Sequence, residues 1–234
     1  MRFLIFSILI LAIACGDSSP KEATKTVEPN APKVEEKAVA APVPYEYAML
    51  DKLGMDTTQA IPTGLKVGET APDFRSLDQN GNPVHLAEQL AKGPVVVVFY
   101  RGQWCGICNQ YLAQFADSLA MVREKGASVI AVAPEVEANV KKSMTEAKLD
   151  VPAIADKGHK IMDSYDVTFK VNDAYQKRVL DYTGESLVAM HGDSDAFLPV
   201  PATYVIGQDG KIKAALFDPK YSNRMSVKDI LEVL

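Results

Sequence analysis

The stretch Val95-Val-Val-Val-Phe-Tyr-Arg-Gly-Gln-Trp-Cys-Gly-Ile-Cys108 decides the fold. Its first half is β-branched and aromatic without polar alternation, which reads as a central strand buried on both faces. Its second half turns through Arg101-Gly-Gln-Trp104 into a C-x-x-C pair, and from Cys105 to Lys125 the chain has helical period. Cys108, Leu112, Phe115, Leu119 and Val122 recur at alternating spacings of four and three, forming one stripe of a helix that faces a sheet. A strand, a tight turn and a helix therefore meet at a pair of thiols.

The flanking segments extend the same pattern. Ala127–Ala133 reads as a second buried strand, Glu135–Lys148 as a helix, Val151–Ala155 as a third strand and His159–Tyr165 as a further helix. Upstream, Asp73–Leu77 is a short strand. Asp78-Gln-Asn-Gly-Asn-Pro83 is turn chemistry for a hairpin, and Leu86–Ala91 supplies a helical turn. Downstream, Thr203–Gly207 and Lys211–Phe217 flank Gln208-Asp209-Gly210 as an antiparallel hairpin, and Ser226 caps a last helix running to Leu234. Phe169–Pro199 fits no clean unit beyond a helix near Asn172–Asp181 and a loop. The expected fold class is α/β: a mixed central sheet flanked by helices, with an antiparallel edge. It occupies residues 65–234, preceded by a short helical segment at 45–64 in which Tyr45–Leu53 is a helix ended by Gly54.

Composition narrows the function. The 234 residues carry a net charge of -5, so nothing supplies the basic patch that a nucleic-acid partner requires. Three cysteines are too few for a disulfide-stapled scaffold. Arg2 followed by the largely apolar run Phe3–Ala14 has the form of an export signal and is shorter than the roughly 20 apolar residues of a spanning helix. The run ends Leu11-Ala-Ile-Ala-Cys15, which resembles the lipobox of bacterial lipoproteins. That resemblance implies removal of residues 1–14, lipid attachment at Cys15 and an exported protein anchored in the cell envelope. Gly16–Pro44 holds five prolines, four lysines, four glutamates and no aromatic residue, the composition of a disordered spacer.

The C-x-x-C at a helix start has a physical rationale. One helical turn brings both sulfurs together, and the free N–H groups and dipole of the helix start favour a thiolate, the reactive species. Periodicity buries Cys108 on the sheet-facing stripe and leaves Cys105 at the helix start. On this argument alone Cys105 attacks and Cys108 resolves. Arg101 is either a stabiliser of the thiolate or a surface charge, and Trp104 either a shield of the site or packing on the sheet. An inert disulfide across so small a loop contributes only about 2 kcal/mol. A structural zinc site wants four ligands, whereas His85, His159 and His191 are scattered and no second C-x-x-C exists. A redox-active dithiol with no metal and no cofactor is the reading that the pair favours.

The chain also resembles a known family. Val96–Cys108, Val67-Gly-Glu-Thr-Ala-Pro-Asp-Phe74, Leu198-Pro-Val-Pro-Ala-Thr-Tyr-Val-Ile206 and Asp218-Pro-Lys-Tyr-Ser-Asn-Arg-Met225 look like the peroxiredoxin-like branch of the AhpC/TSA (redoxin) group, in the expected order. The resemblance implies a thioredoxin fold with peroxiredoxin-type N-terminal additions. It also implies a thiol-dependent oxidoreductase of antioxidant type that meets a peroxide or protein disulfide and is reset by an external dithiol donor. By alignment Cys108 holds the place of the peroxide-reducing cysteine. Pro201 holds that of a cis-proline beside the dithiol, which implies a cis Val200–Pro201 bond.

Two departures stand against efficient peroxidase chemistry. Neither cysteine is preceded at the family's spacing by the usual proline and threonine, and Ala202 and Thr203 stand where an arginine is expected. Trp104-Cys-Gly-Ile-Cys108 is also thioredoxin-like, although Phe99 stands where thioredoxins carry a buried acid. The alternative function is therefore a thioredoxin-like or cytochrome-maturation thiol–disulfide oxidoreductase. A copper metallochaperone on the same fold wants C-x-x-x-C, one residue longer, and a non-catalytic binding module has no use for the dithiol.

Overall fold

A computed structural model describes residues 45–234. The signal, lipobox and spacer of the sequence analysis lie outside the described residues. In chain order come α1 (Tyr47–Lys52), β1 (Arg75–Leu77), β2 (Pro83–His85), α2 (Leu86–Leu90) and β3 (Val95–Phe99). Then follow α3 (Gly106–Glu124), β4 (Ser128–Ala133), α4 (Glu137–Ala147), β5 (Ala153–Ala155), α5 (Lys160–Ser164) and β6 (Thr168–Lys170). The chain ends with α6 (Asp173–Thr183), α7 (Leu187–His191), β7 (Phe197–Pro199), β8 (Ala202–Ile206), β9 (Ile212–Phe217) and α8 (Val227–Val233).

The main sheet has the order β5-β4-β3-β8-β9. β3 pairs parallel with β4 and antiparallel with β8, and β8 with β9 forms the expected hairpin. β3 is buried at every position because its neighbours lie on both edges and helices on both faces. Successive side chains on a strand point to opposite faces. Val96, Val98 and Tyr100 therefore join Leu112, Phe115, Leu119 and Val122 of α3 in one core, together with Ile230 of α8. Val95, Val97 and Phe99 join Phe74, Leu86, Ile161, Met162 and Tyr165 in the other. Each such side chain taken from water contributes about 1.5–3 kcal/mol, so this one strand anchors both layers.

The sequence signals place the helix and strand starts to within a few residues, with instructive exceptions. Glu135, expected in α4, lies outside it. Val136 is extended (φ -63°, ψ 152°) and the helix begins at Glu137. The Glu135 carboxylate is instead turned inward, where it accepts a hydrogen bond from the Gln103 backbone at 2.7 Å. The segment 169–199 is more ordered than expected. β6 and β7 pair antiparallel across two helices, and α6 and α7 pack with Leu50, Met55, Phe169 and Leu198 in a third core. The pairing is invisible to hairpin logic because two helices, not a turn, join the partner strands. The Val200–Pro201 bond is trans, since no peptide bond among the described residues is cis. This corrects the expectation carried by the family position. The tertiary amide keeps a trans preference of about 0.5–1 kcal/mol. Here Val200 donates to Val167 at 2.7 Å and the chain runs on extended into β8, which trans geometry satisfies.

Candidate active site

The site forms where β3 ends. Tyr100 donates its N–H to Val132 at 3.1 Å, prolonging the β3–β4 ladder, and the chain then turns through 101–104. Cys105 donates to the Gly102 carbonyl at 3.1 Å, closing that turn. Asn109 reaches back from the first turn of α3 and donates to the Gln103 carbonyl at 2.7 Å. Cys105 is the N-cap of α3, and its sulfur accepts the Cys108 N–H at 3.4 Å. The helix start thus delivers to sulfur one of the backbone donors that every helix leaves unpaired. The two sulfurs are 2.6 Å apart and unbonded to each other.

Burial corrects one expectation. Cys108 is fully buried, as its place on the sheet-facing stripe requires, but Cys105 is not open: it is only 3% exposed. Arg101 and its aromatic neighbours cover it. Arg101 is itself 5% exposed, so it is no surface charge. Its Nη2 donates to Cys105 Sγ at 3.1 Å and its Nη1 to the Tyr175 hydroxyl. The guanidinium carbon lies over the Tyr221 ring, 3.7 Å from its centroid, and 5.1 Å from the centroid of the Trp104 ring. A desolvated cation gains more from aromatic faces than an exposed one. Trp104 thereby both packs against two of the cores and borders the site.

A second guanidinium reaches the other sulfur. Arg224, on the loop between β9 and α8, donates to Cys108 Sγ at 3.4 Å. It lies over the Tyr111 ring, 5.6 Å from the centroid. The Tyr111 hydroxyl ties that loop down by donating to the Met225 carbonyl at 2.8 Å, and it meets Thr203 Oγ1 at 3.2 Å. Thr203, at a place where the family pattern carries an arginine, thus helps to seat the loop that brings one.

The sulfurs titrate as a pair. For Cys108, burial works upward, but the hydrogen bond with Cys105 and the charges of Arg224 and Arg101 overcome it and bring the thiol down to about 5. For Cys105, the hydrogen bond with Cys108 and burial push far upward, against the pull of Arg101. The two shifts are one shared proton seen from both sides. The dithiol gives up its first proton well below the ordinary thiol range and holds the second tightly.

The structure gathers Arg101, Trp104, Cys105 and Cys108 at one place. Pro201 lies at the same end of the sheet, since Ala202 pairs with Phe99. Cys15 is outside the described residues. Sequence reasoning missed Arg224, Tyr175, Tyr221 and Glu135 as site residues. Arg224 and Tyr221 left a signal, because both fall in the family-like segment 218–225. The other two left none. Among the described residues no group of three or more His, Cys, Asp or Glu is placed to hold a metal ion, and no helix is long and apolar enough to cross a membrane.

Mixed sheet, flanking helices and a dithiol at a strand-to-helix joint define a thiol-dependent redox protein of thioredoxin-like fold. Comparison with known proteins narrows this: residues 67–215 match the AhpC/TSA family, and the chain belongs to it. Thiol-disulfide oxidoreductase ResA of Bacillus anthracis is 26% identical over 149 residues, 63% of this chain and 68% of its own. Chloroplastic peroxiredoxin Q of Oryza sativa subsp. japonica is 28% identical over 150 residues, with the same coverage of 63% and 68%. Among solved structures, peroxidoxin BcpB of Mycobacterium tuberculosis superposes with a TM-score of 0.57 at 19% identity, covering 74% of this chain and 97% of that one. Xanthomonas campestris peroxiredoxin Q superposes with a TM-score of 0.51 at 13% identity, covering 68% and 87%. At these identities the structures speak for the fold. The chain is a thiol-dependent oxidoreductase of the peroxiredoxin-like class.

Proposed function

We propose that the protein reduces small hydroperoxides through Cys108 and resolves the product with Cys105. The observation that carries this is the Arg224 guanidinium on Cys108 Sγ, with Cys105 Sγ adjacent. A fixed cation at the attacking sulfur holds the thiolate and also stabilises charge on the oxygen that departs. Near-complete burial of both sulfurs favours a substrate of a few atoms over a protein surface. The Cys108 thiolate attacks the terminal oxygen of ROOH, the O–O bond breaks, and with one proton ROH leaves a Cys108 sulfenic acid. Cys105 then attacks that sulfur, the S–O bond breaks, water leaves and the Cys105–Cys108 disulfide forms. An external dithiol donor returns the pair to the reduced state by thiol–disulfide exchange.

Mass spectrometry of Cys105→Ser and Cys108→Ser after one equivalent of hydrogen peroxide tests the assignment. Sulfenic acid on Cys108 of the Cys105→Ser variant is expected. Sulfenic acid only on Cys105 of the other variant inverts the roles, and none on either rejects peroxidase chemistry.

A second reading, disulfide exchange led by Cys105, is favoured by a different observation. Cys105 is the outer sulfur and receives both the Arg101 and the Cys108 N–H donors. A mixed disulfide between Cys105 of Cys108→Ser and an oxidised model protein, trapped because no second thiol resolves it, without peroxide reactivity in either variant, selects it. The proposal includes tethering of the protein to a cell-envelope membrane by lipid on Cys15, motivated by Leu11–Cys15 and the proline-rich stretch that follows. Incorporation of a fatty-acid label that disappears in Cys15→Ser is the expected result, and equal labelling of both sinks it.

A further inference from the structure

Glu135 makes no hydrogen bond to either sulfur, yet it is fully buried and close enough to the dithiol to feel the charge on Cys108. Its Oε2 accepts the Gln103 backbone N–H at 2.7 Å, on the turn that leads into Cys105. Its Oε1 is buried and has no hydrogen-bond partner. The indole Nε1 of Trp104 is likewise buried and unpaired. Gly102 shows how near these atoms come. A methyl at its Cβ position would fall 2.7 Å from Glu135 Oε1 and 2.8 Å from Trp104 Nε1. An acceptor and a donor therefore converge on one crowded point beside the dithiol turn, and neither has a partner in the protein. Buried polar groups without partners are costly and rare, and they call for a reason.

We propose that Glu135 is the proton reservoir of the dithiol, its Oε1 donating a proton toward the oxygen that departs at Cys108 and drawing away the proton of Cys105. This rests on the peroxidase reading above. It supplies the acid that the chemistry needs and that the missing threonine cannot provide. The proton count closes. A Cys108 thiolate, a Cys105 thiol, a protonated Glu135 and ROOH enter. In the first step Glu135 gives its proton to RO⁻, leaving ROH, a sulfenic acid and a carboxylate. In the second, the carboxylate takes the Cys105 proton and returns it to the departing hydroxide. Disulfide, ROH, water and the Glu135 carboxylate leave, and solvent reprotonates the acid.

The titration of the carboxyl agrees with this role. Burial pushes it up to about 8, opposed by the Gln103 hydrogen bond and raised further by Cys108. The other groups that bear on it are Glu185, which raises it, Lys142, which lowers it, and the Tyr100 phenol. At neutral pH it therefore carries the proton it has to give.

Glu135→Gln keeps the shape and the acceptor for Gln103 but cannot carry a proton. Two measurements on the full chain are compared with the wild type. The first is single-turnover oxidation by hydrogen peroxide between pH 5.5 and 9. The second is the pH dependence of iodoacetamide alkylation, which needs no peroxide. In the wild type the turnover rate is expected to fall through about pH 8, and alkylation to show one step near 5 and another near 8. In Glu135→Gln the turnover rate at pH 7 is expected to drop at least about 100-fold, the usual size of general-acid catalysis. The upper step is lost from both profiles, and Glu135→Asp restores it in part. Alkylation profiles that superimpose for wild type and Glu135→Gln overturn the proposal, as does a rate loss that leaves the pH profile unchanged. If the wild type consumes no peroxide while the variant loses the upper alkylation step, the peroxidase reading falls and the Glu135 coupling stands.

Discussion

Two arginines far apart in the chain set the reactivity of the dithiol, and each can be tested alone. Arg224 reaches Cys108 from a loop 116 residues downstream. Arg224→Met keeps the aliphatic bulk and removes the charge. The first proton of the pair should then rise from about 5 toward the ordinary thiol range, about 8.5 in free cysteine. A higher value means less thiolate in acid, so alkylation at pH 6 is expected to slow about tenfold or more. An unchanged rate would mean that Arg224 does not hold the thiolate. Gly102 is a further residue with a sharp consequence. Its φ of 141° and the approach of Glu135 Cδ to 2.6 Å from any Cβ leave no room for a side chain. Gly102→Ala is expected to cost about 1–3 kcal/mol in backbone strain. It should also blunt peroxide and alkylation reactivity together, because Gln103, Trp104 and Cys105 all hang on that turn. Wild-type denaturation midpoint and reactivity in this variant would refute the geometry.

Among the elements, α3 and α6 divide the work. α3 brings the sulfurs to its N-terminus, and α6 holds the cover, since its Tyr175 receives the Arg101 hydrogen bond. α6 in turn depends on Asn172. The Oδ1 of this residue caps the helix by accepting the Tyr175 N–H at 2.8 Å, and its Nδ2 donates to the Asp51 carbonyl at 2.8 Å and to the Met55 carbonyl at 3.2 Å. One amide thus starts α6 and pins α1 to it. Loss of a cap costs about 1 kcal/mol, and a buried acceptor left unpaired adds about 1–3 kcal/mol. Asn172→Ala should therefore destabilise more than Asn172→Ser, whose hydroxyl can still cap while the two donors are lost, with no new carboxylate set against Asp51 Oδ1, which the amide also meets at 3.1 Å. Equal denaturation midpoints for the two variants would show that the cap contributes nothing beyond the clip to α1.

At the scale of the molecule, buried titratable groups shape stability against pH, Glu135 and His191 among them. The oxidised form is the cleaner system, since its cysteines do not titrate. In the reduced protein burial, with a smaller push from the Cys108 charge, raises Glu135 from 4.5 to about 8; burial persists when that charge is gone, so the folded state still holds this proton more tightly than the unfolded chain. The stability it confers is full below 4.5 and is lost as pH rises to about 8. Burial lowers His191 from 6.5 to about 4, so its share is full above 6.5 and is lost as pH falls to about 4. The two slopes oppose each other between 4.5 and 6.5; above 6.5 Glu135 is joined by His85, which its hydrogen bonds with Glu88 and Asp73 raise above 6.5 and whose share is likewise lost as pH rises. Thermal scans of the oxidised protein should show Tm falling more steeply between pH 6.5 and 8 in the wild type than in Glu135→Gln, where the fall carried by His85 remains. A parallel fall in both would place the titrating group elsewhere.

How far these features are legible in the amino-acid order depends on the distance over which each is encoded. The run Val95–Phe99, the Cys105 cap and the Leu112–Val122 stripe are local patterns. Backbone geometry and hydrophobic periodicity translate them directly into strand, joint and helix. Asp78 and Gly210 mark their turns for the same reason. β6 and β7 escape because their pairing spans two intervening helices, and Glu135 reads as helical because its surroundings favour a helix until its carboxyl finds Gln103.

The order of residues alone dictates a buried strand running into a helix with two cysteines at the joint, and with it the thioredoxin-like class. What surrounds the sulfurs is a matter of folding in three dimensions. Arg101, Glu135, Tyr175, Tyr221 and Arg224 converge from separate segments on the end of one sheet, and such convergence is set by how layers pack. The charge that sulfur feels depends on distance and burial, quantities that exist only once the chain has closed around the site.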